Sequence, residues 1–193
     1  MKKRSSIVMF FVFSLVFILV GCTQDNSMIV TSSGIVNGVI EDKYGKRGEV
    51  NESGMPTYSL PIKIENAPKG TVSYAIVLED KDAYGPSGGF SWVHWTAANI
   101  TRTELKENES QTATDFIQGV NSWTSIQAGQ QSAELSSFYG GMAPPDAPHI
   151  YELHVFALDT MLDIENGFLM NDLYKKMDGH ILEQYTLKGR YDD

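Results

Sequence analysis

Five short runs rich in β-branched and aromatic residues limit what this chain can fold into: MIVTS (28–32), YSLPIKIE (58–65), TVSYAIVLED (71–80), WVHWTAANI (92–100) and YELHVFALD (151–159). Turn chemistry bounds them, with NG at 37–38, YGKRG at 44–48, ESGMP at 52–56, NAPKG at 66–70 and YGPSGG at 84–89. No βαβ alternation runs between them, which argues against a parallel sheet of Rossmann type. The spacing predicts a mainly β fold, an antiparallel β-sandwich with a few short helices. One helix is expected near the C-terminus, where Phe168, Leu169, Asp172, Leu173 and Met177 fall on one helical face and Gly179 offers a stop. ILEQYTLKGRY (181–191) reads as a closing strand or an extended tail. The stretch 101–137 is polar and aperiodic and reads as a long surface excursion between two strands, with Phe116 and Trp123 set in it.

The 193 residues fit one domain with a real core, 42% of them apolar. The first 21 stand apart from it. Lys2, Lys3 and Arg4 precede an uncharged apolar run, IVMFFVFSLVFILVG. At roughly fifteen residues that run matches a secretory signal rather than a membrane span, which needs about twenty. It ends at Leu19-Val20-Gly21-Cys22, and Cys22 is the single cysteine of the chain. The pattern resembles the lipobox of bacterial lipoproteins, whose cysteine is lipidated. The other reading is a plain signal peptide that contains a cysteine. The expected organisation is a signal peptide over 1–21, a polar tether over 22–30 and a folded domain over 31–193. Localisation follows as the extracytoplasmic side of the cell membrane, held by acyl chains such as palmitate. Loss of residues 1–21 removes three positive charges from a net charge of −9, leaving −12. Such a balance argues against nucleic acid and against a polybasic grip on anionic lipid.

Few residues can carry chemistry. Period-two counting along WVHWTAANI puts His94 on a face with Thr96 and Ala98, opposite Val93, Trp95 and Ala97. In HIYELHVFAL, His149, Tyr151, Leu153 and Val155 share one side. His154, mid-strand near Glu152, is expected to be an ordinary, partly exposed residue. His94 follows a glycine-rich turn and His149 ends the stiff loop YGGMAPPDAPH, so both sit at strand beginnings, where side chains can converge on a cleft. Asp80 and Asp82 share a face if their strand continues; alternatively they form a solvated strand end with a turn-capping aspartate.

Four segments in order, LEDKDAYG, WVHW, GGMAPPDAPHIYELHVFALD and GHILEQYTLKGRY, resemble the phosphatidylethanolamine-binding protein family in its bacterial, Raf-kinase-inhibitor-like branch. The similarity runs from about Thr31 to Tyr191. The family's signatures are D-P-D-A-P followed by W-x-H, then G-x-P-P followed by H-R-Y, with a closing G-H-x-L…L-x-G-x-Y in bacterial members. The resemblance implies a β-sandwich with a small surface pocket for phosphate, acetate or a phospholipid head group. Carried over by position, the ligand-binding residues are Asp80, Asp82, Trp92, His94, Ala143, Pro144, Pro145, His149 and Tyr151. Lys81 and Tyr84 replace family prolines, Ile150 replaces an arginine, and the linker from Pro145 to His149 is short. The expected mode is binding by imidazole and backbone N–H donors, with Asp80 orienting one imidazole and Pro144 and Pro145 stiffening the loop. No cofactor and no resident metal are implied.

Two other readings stand beside this one. Asp80, His94 and His149 could serve a hydrolase as acid, base and orienter. HExxH is absent, however, and Cys22 is assigned to the anchor. Family relatives also regulate kinases or proteases, so a protein-interaction role with an envelope partner is the remaining alternative.

Overall fold

The computed structural model describes residues 27–128 and 130–193; Cys22 and the whole proposed signal lie outside them. Among the described residues ten strands follow in chain order: β1 Ile29–Thr31, β2 Ile35–Val36, β3 Val39–Ile40, β4 Ile62–Glu65, β5 Ser73–Asp80, β6 Trp92–Ile100, β7 Glu104–Leu105, β8 Ile117–Gly119, β9 His149–Leu158 and β10 Ile181–Tyr191. They form a small sheet, β1-β4-β7, and a large one, β2-β3-β10-β9-β5-β6-β8. Between these strands every pairing is antiparallel except the short contact between β3 and β10. The mainly β sandwich expected from the sequence is the observed architecture.

Alternation builds the core. Val30, Ile62, Ile64 and Leu105 of the small sheet meet Ile76, Leu78, Trp95, Leu153 and Val155 of the large one. The opposite residues of the large sheet, Ala75, Val77, Ala98, Phe156 and Leu158, are covered by Leu162, Phe168, Leu173 and Met177. The last two belong to the expected C-terminal helix, Met170–Met177, which ends before Gly179 at φ +80°. Covering both faces explains why every residue of β5 is buried. Each fully buried Leu, Ile or Val contributes about 1.5–3 kcal/mol. Asn37 and Gly38 both take positive φ in the two-residue hairpin between β2 and β3, as the NG signal requires.

Three expectations change. ILEQYTLKGRY is an internal strand, β10, paired along its length with β9 and at one end with β3. The stretch 101–137 is not a featureless excursion. It contains β7, β8 and several short helical turns, and Phe116 is buried against Trp95. Its polar composition hides this because the turns satisfy themselves locally, as where Gln118 bonds to Ser110 and Trp95. Met28 and Val30 are buried in the core, so packing starts before residue 31.

The strand register also fixes two ends of the sandwich. Asp80, Tyr151 and Tyr191 lie at one, where β5 and β10 finish and β9 starts. The chain enters at the other, where the Met28 N–H donates to Glu183 Oε1 at 2.8 Å and Glu183 pairs with Ala157. The six-residue step from Tyr151 to Ala157 separates these ends by about 20 Å.

Candidate functional site

At the Asp80 end is a cavity of about 190 Å³. Register builds its floor, because Asp80 pairs with Trp92 on one side and with Tyr151 on the other. Beside them β6 departs from a plain ladder. Leu78 pairs with Trp95 and Glu79 with Val93, which leaves His94 as the extra residue of a bulge. The bulge resets the alternation, so His94 does not follow Thr96 and Ala98. Its ring packs edge-on to Tyr151 with centroids 5.1 Å apart, and His149 lies 6.4 Å from the same tyrosine on another side. Period-two counting fails here because a bulge adds one residue to one strand only.

The proline loop closes over this floor. Ala143, Pro144 and Pro145 line the cavity with Asp80, Trp92, His94, His149 and Tyr151. Asp82 does not. Strand β5 ends at Asp80, and the Asp82 carboxylate turns aside to accept the Ile150 N–H at 2.9 Å. Asp80 Oδ1 in turn accepts the N–H groups of Asp82 and Ala83, so the capping role proposed for this pair belongs to Asp80. The glycines before the prolines permit close approach. A Cβ on Gly141 would lie 2.2 Å from the Tyr44 carbonyl oxygen, and one on Gly140 2.7 Å from Trp123. Their carbonyls are thereby brought to His94, whose Nδ1–H donates to Gly140 O at 2.5 Å and to Gly141 O at 3.1 Å. These two acceptors assign the tautomer. His94 Nε2 then carries a lone pair, with no hydrogen-bond partner among the described residues. Burial lowers the pKa of His94, more than the nearby Asp80 charge raises it, and keeps the ring neutral.

His149 is set up in the opposite sense. Its Nδ1–H donates to Asp80 Oδ2 at 2.8 Å, and its Nε2–H reaches Asp146 Oδ1 at 3.1 Å. Burial pulls its pKa down, but the two carboxylates, Asp80 first, overcome this and leave it raised. One neutral and one cationic imidazole therefore flank Tyr151. The tyrosine hydroxyl is buried beside the Asp80 carboxylate and the Ala143 N–H without a well-formed hydrogen bond to either, and burial followed by the Asp80 charge raises its pKa. Carbon supplies most of the remaining wall. Trp123 stands edge-on to Trp92 at 6.4 Å, and Ala83, Gln127 and Ala128 complete the lining. Sequence reasoning missed these four; a tryptophan stranded in a polar stretch was the one available signal.

His154 is a correction. It is buried on the other face of the large sheet, with Nε2 3.0 Å from Glu79 Oε1 and Nδ1 2.9 Å from Thr186 Oγ1. Glu79, Glu152 and His154 have the spacing of a metal site, but Lys81 bridges both carboxylates and Lys188 takes the second oxygen of Glu152. The cluster is thus already neutralised by lysines and acts as a structural network. GPSGG (85–89) has the bare spacing of a nucleophile elbow, G-x-S-x-G. Ser87, however, is tied through its hydroxyl to the backbone of Phe90, and among the described residues no histidine hydrogen-bonds to it.

The sequence profile of a family described as phosphatidylethanolamine-binding protein matches residues 31–192. An uncharacterized protein of Bacillus subtilis, YxkA, is 40% identical over 157 residues, 79% of this chain and 93% of that protein. A UPF0098 protein of Methanothermobacter thermautotrophicus is 35% identical over 69% of this chain and 82% of its own length. Among solved structures, a putative phosphatidylethanolamine-binding protein homolog of Chlamydia trachomatis, CT736, superposes with a TM-score of 0.71 at 28% identity, covering 87% of this chain and 99% of that one. YbcL of E. coli shares the fold, with a TM-score of 0.67 at 24% identity over 86% of this chain and 99% of its own.

Proposed function

This chain belongs to the phosphatidylethanolamine-binding protein family, and on that footing we propose that it is a lipid-anchored binding protein whose cavity takes a small oxyanion, a phosphate or a phospholipid head group. One observation carries the reading: a cationic imidazole, His149, fixed by a buried carboxylate, Asp80, faces the same cavity as a second imidazole and a proline-stiffened backbone. His149 and the proline loop are fixed by buried contacts, so little cost of ordering those groups falls on binding. A cavity of about 190 Å³ suits a head group rather than a whole lipid, since drug-sized pockets start at about 300 Å³. Binding is favoured over hydrolysis because no serine, threonine or cysteine is among the described residues lining the cavity, and the buried Ser87 is held by the backbone of Phe90. Titration with phosphate or phosphoethanolamine, followed by NMR of the His94 and His149 rings, tests this. Ring shifts that saturate are expected, and no shift in either ring up to millimolar ligand overturns the proposal.

In the same reading Cys22 carries the acyl anchor, and the domain works on the extracytoplasmic side of the membrane. Because the chain enters about 20 Å from the cavity, at the opposite end of the sandwich, such a tether holds the cavity away from the anchoring bilayer. A second reading, a protein-interaction role, draws on Tyr84, Phe90 and Ile126. These are 70%, 75% and 75% exposed, and each lies within two residues of a cavity-lining one. Replacing all three with serine and comparing captured envelope proteins with those of the unaltered chain tests it; an unchanged set overturns it.

A further inference from the structure

The cationic donor of the cavity is already spent. His149 has two N–H groups; one goes to the buried Asp80 and the other to Asp146, whose side chain is 63% exposed. Asp146 comes from the three-residue linker between Pro145 and His149, and it reaches the ring from outside the cavity lining. An external anion can use the His149 Nε2–H only by removing that carboxylate. We propose that Asp146 is a built-in occupant of the anion seat, and that the site is filled by exchange of this carboxylate for a singly charged oxyanion. The proposal rests on the anion-binding reading and adds to it the class of ligand and the means of access.

Charge balance selects the ligand. With Asp80 and Asp146 ionised and His149 cationic, the seat carries one net negative charge. Replacing Asp146 by a carboxylate, a dihydrogen phosphate or a phosphodiester leaves that charge unchanged. A dianion adds one more negative charge across the His149 ring from the buried Asp80 carboxylate, a repulsion that water on the open side screens only in part. His94 cannot offset it, because its Nδ1–H is held by Gly140 O and Gly141 O and its Nε2 presents a lone pair. The Asp146 carboxylate also shows what the seat accepts, one oxygen 3.1 Å from His149 Nε2 on a group that is otherwise open to water. The ion pair it makes has one solvated partner and is weak, so displacement needs no unfolding.

The experiment compares the full-length protein with its Asp146→Asn variant, a surface change that leaves the core untouched. Each is titrated with acetate, phosphate and sulfate while the His149 Nε2–H resonance is followed by NMR. The expected gain is about two- to five-fold in acetate and phosphate affinity for Asp146→Asn, the range of a solvated ion pair removed as competitor. Sulfate, always doubly charged, is expected to bind the unaltered protein more weakly than acetate. At saturating acetate the two proteins are expected to give the same His149 Nε2–H shift, because Asp146 has left the ring in both. A variant that binds no more tightly, or bound-state shifts that differ, overturns the displacement. If neither protein binds any of the three anions, the anion-binding reading itself fails.

Discussion

Replacing Asp80 with asparagine probes the group on which the cavity turns. Asp80 is 2% exposed and uses both carboxylate oxygens: Oδ2 holds the His149 ring, and Oδ1 holds the N–H groups of Asp82 and Ala83. Asparagine keeps the shape but has one acceptor oxygen, so either the ring N–H or the turn N–H groups face an amide donor. Leaving a buried donor unsatisfied costs about 1–3 kcal/mol. Breaking a buried ion pair outright costs about 3–5 kcal/mol, but His149 can avoid part of that by losing its proton. A loss of about 1–3 kcal/mol is therefore expected near neutral pH, together with loss of anion binding. The pH dependence is the sharper test. With Asp80 in place the pKa of His149 is raised above its unfolded value of about 6.5, so its contribution to stability is fully present below that pH and is lost as pH rises through the folded value. In Asp80→Asn only the solvated Asp146 carboxylate still opposes burial, so the folded pKa of His149 falls and the stabilisation at low pH shrinks. Urea unfolding of both proteins at pH 5.5 and pH 8.5 reads the difference, with NMR titration of His149 alongside. A gap between the two proteins that is equal at both pH values, or wider at pH 8.5, refutes this account of the pair.

Gly141→Ala forces a Cβ to 2.2 Å from the Tyr44 carbonyl oxygen; a loss of about 1–3 kcal/mol by urea unfolding, with weaker phosphate binding, is expected as the loop moves off His94. Glu79 is held at a pKa of about 2, first by its hydrogen bond to His154. Its stabilisation is therefore present above about pH 4.3 and fades as pH falls toward 2, and Glu79→Gln should show a correspondingly shallower acid-unfolding curve. Cys22→Ser should abolish palmitate labelling and release the protein from the membrane fraction; continued labelling would place any acylation elsewhere.

Much of the fold was legible because strand patterning is local. The runs that became β1, β5, β6 and β9, the NG hairpin and the C-terminal helix are set by near-neighbour periodicity and turn chemistry. Strand β10 was harder to read, since partial exposure along its length blurs the alternation. The 101–137 stretch was misread because polar residues that satisfy one another inside a fold look the same in sequence as polar residues facing water. Within the cavity, the motif residues Asp80, Trp92, His94, His149 and Tyr151 and the loop Ala143-Pro144-Pro145 were named from sequence. Trp123, in the lining, and Asp146, just outside it, were not: Trp123 meets residues of another segment, and the Asp146 contact depends on how the loop folds back on His149.

From sequence alone came the types of group available: two imidazoles, a carboxylate, a tyrosine and a stiff loop, on strands that must pack as a sandwich. Tertiary structure decided what those groups are. One bulge turns His94 to the side of Tyr151, two glycine carbonyls fix its tautomer, and Asp80 with Asp146 makes His149 the cation. Protonation state and direction depend on what lies within about 3 Å of a nitrogen in space, and chain order does not specify those neighbours.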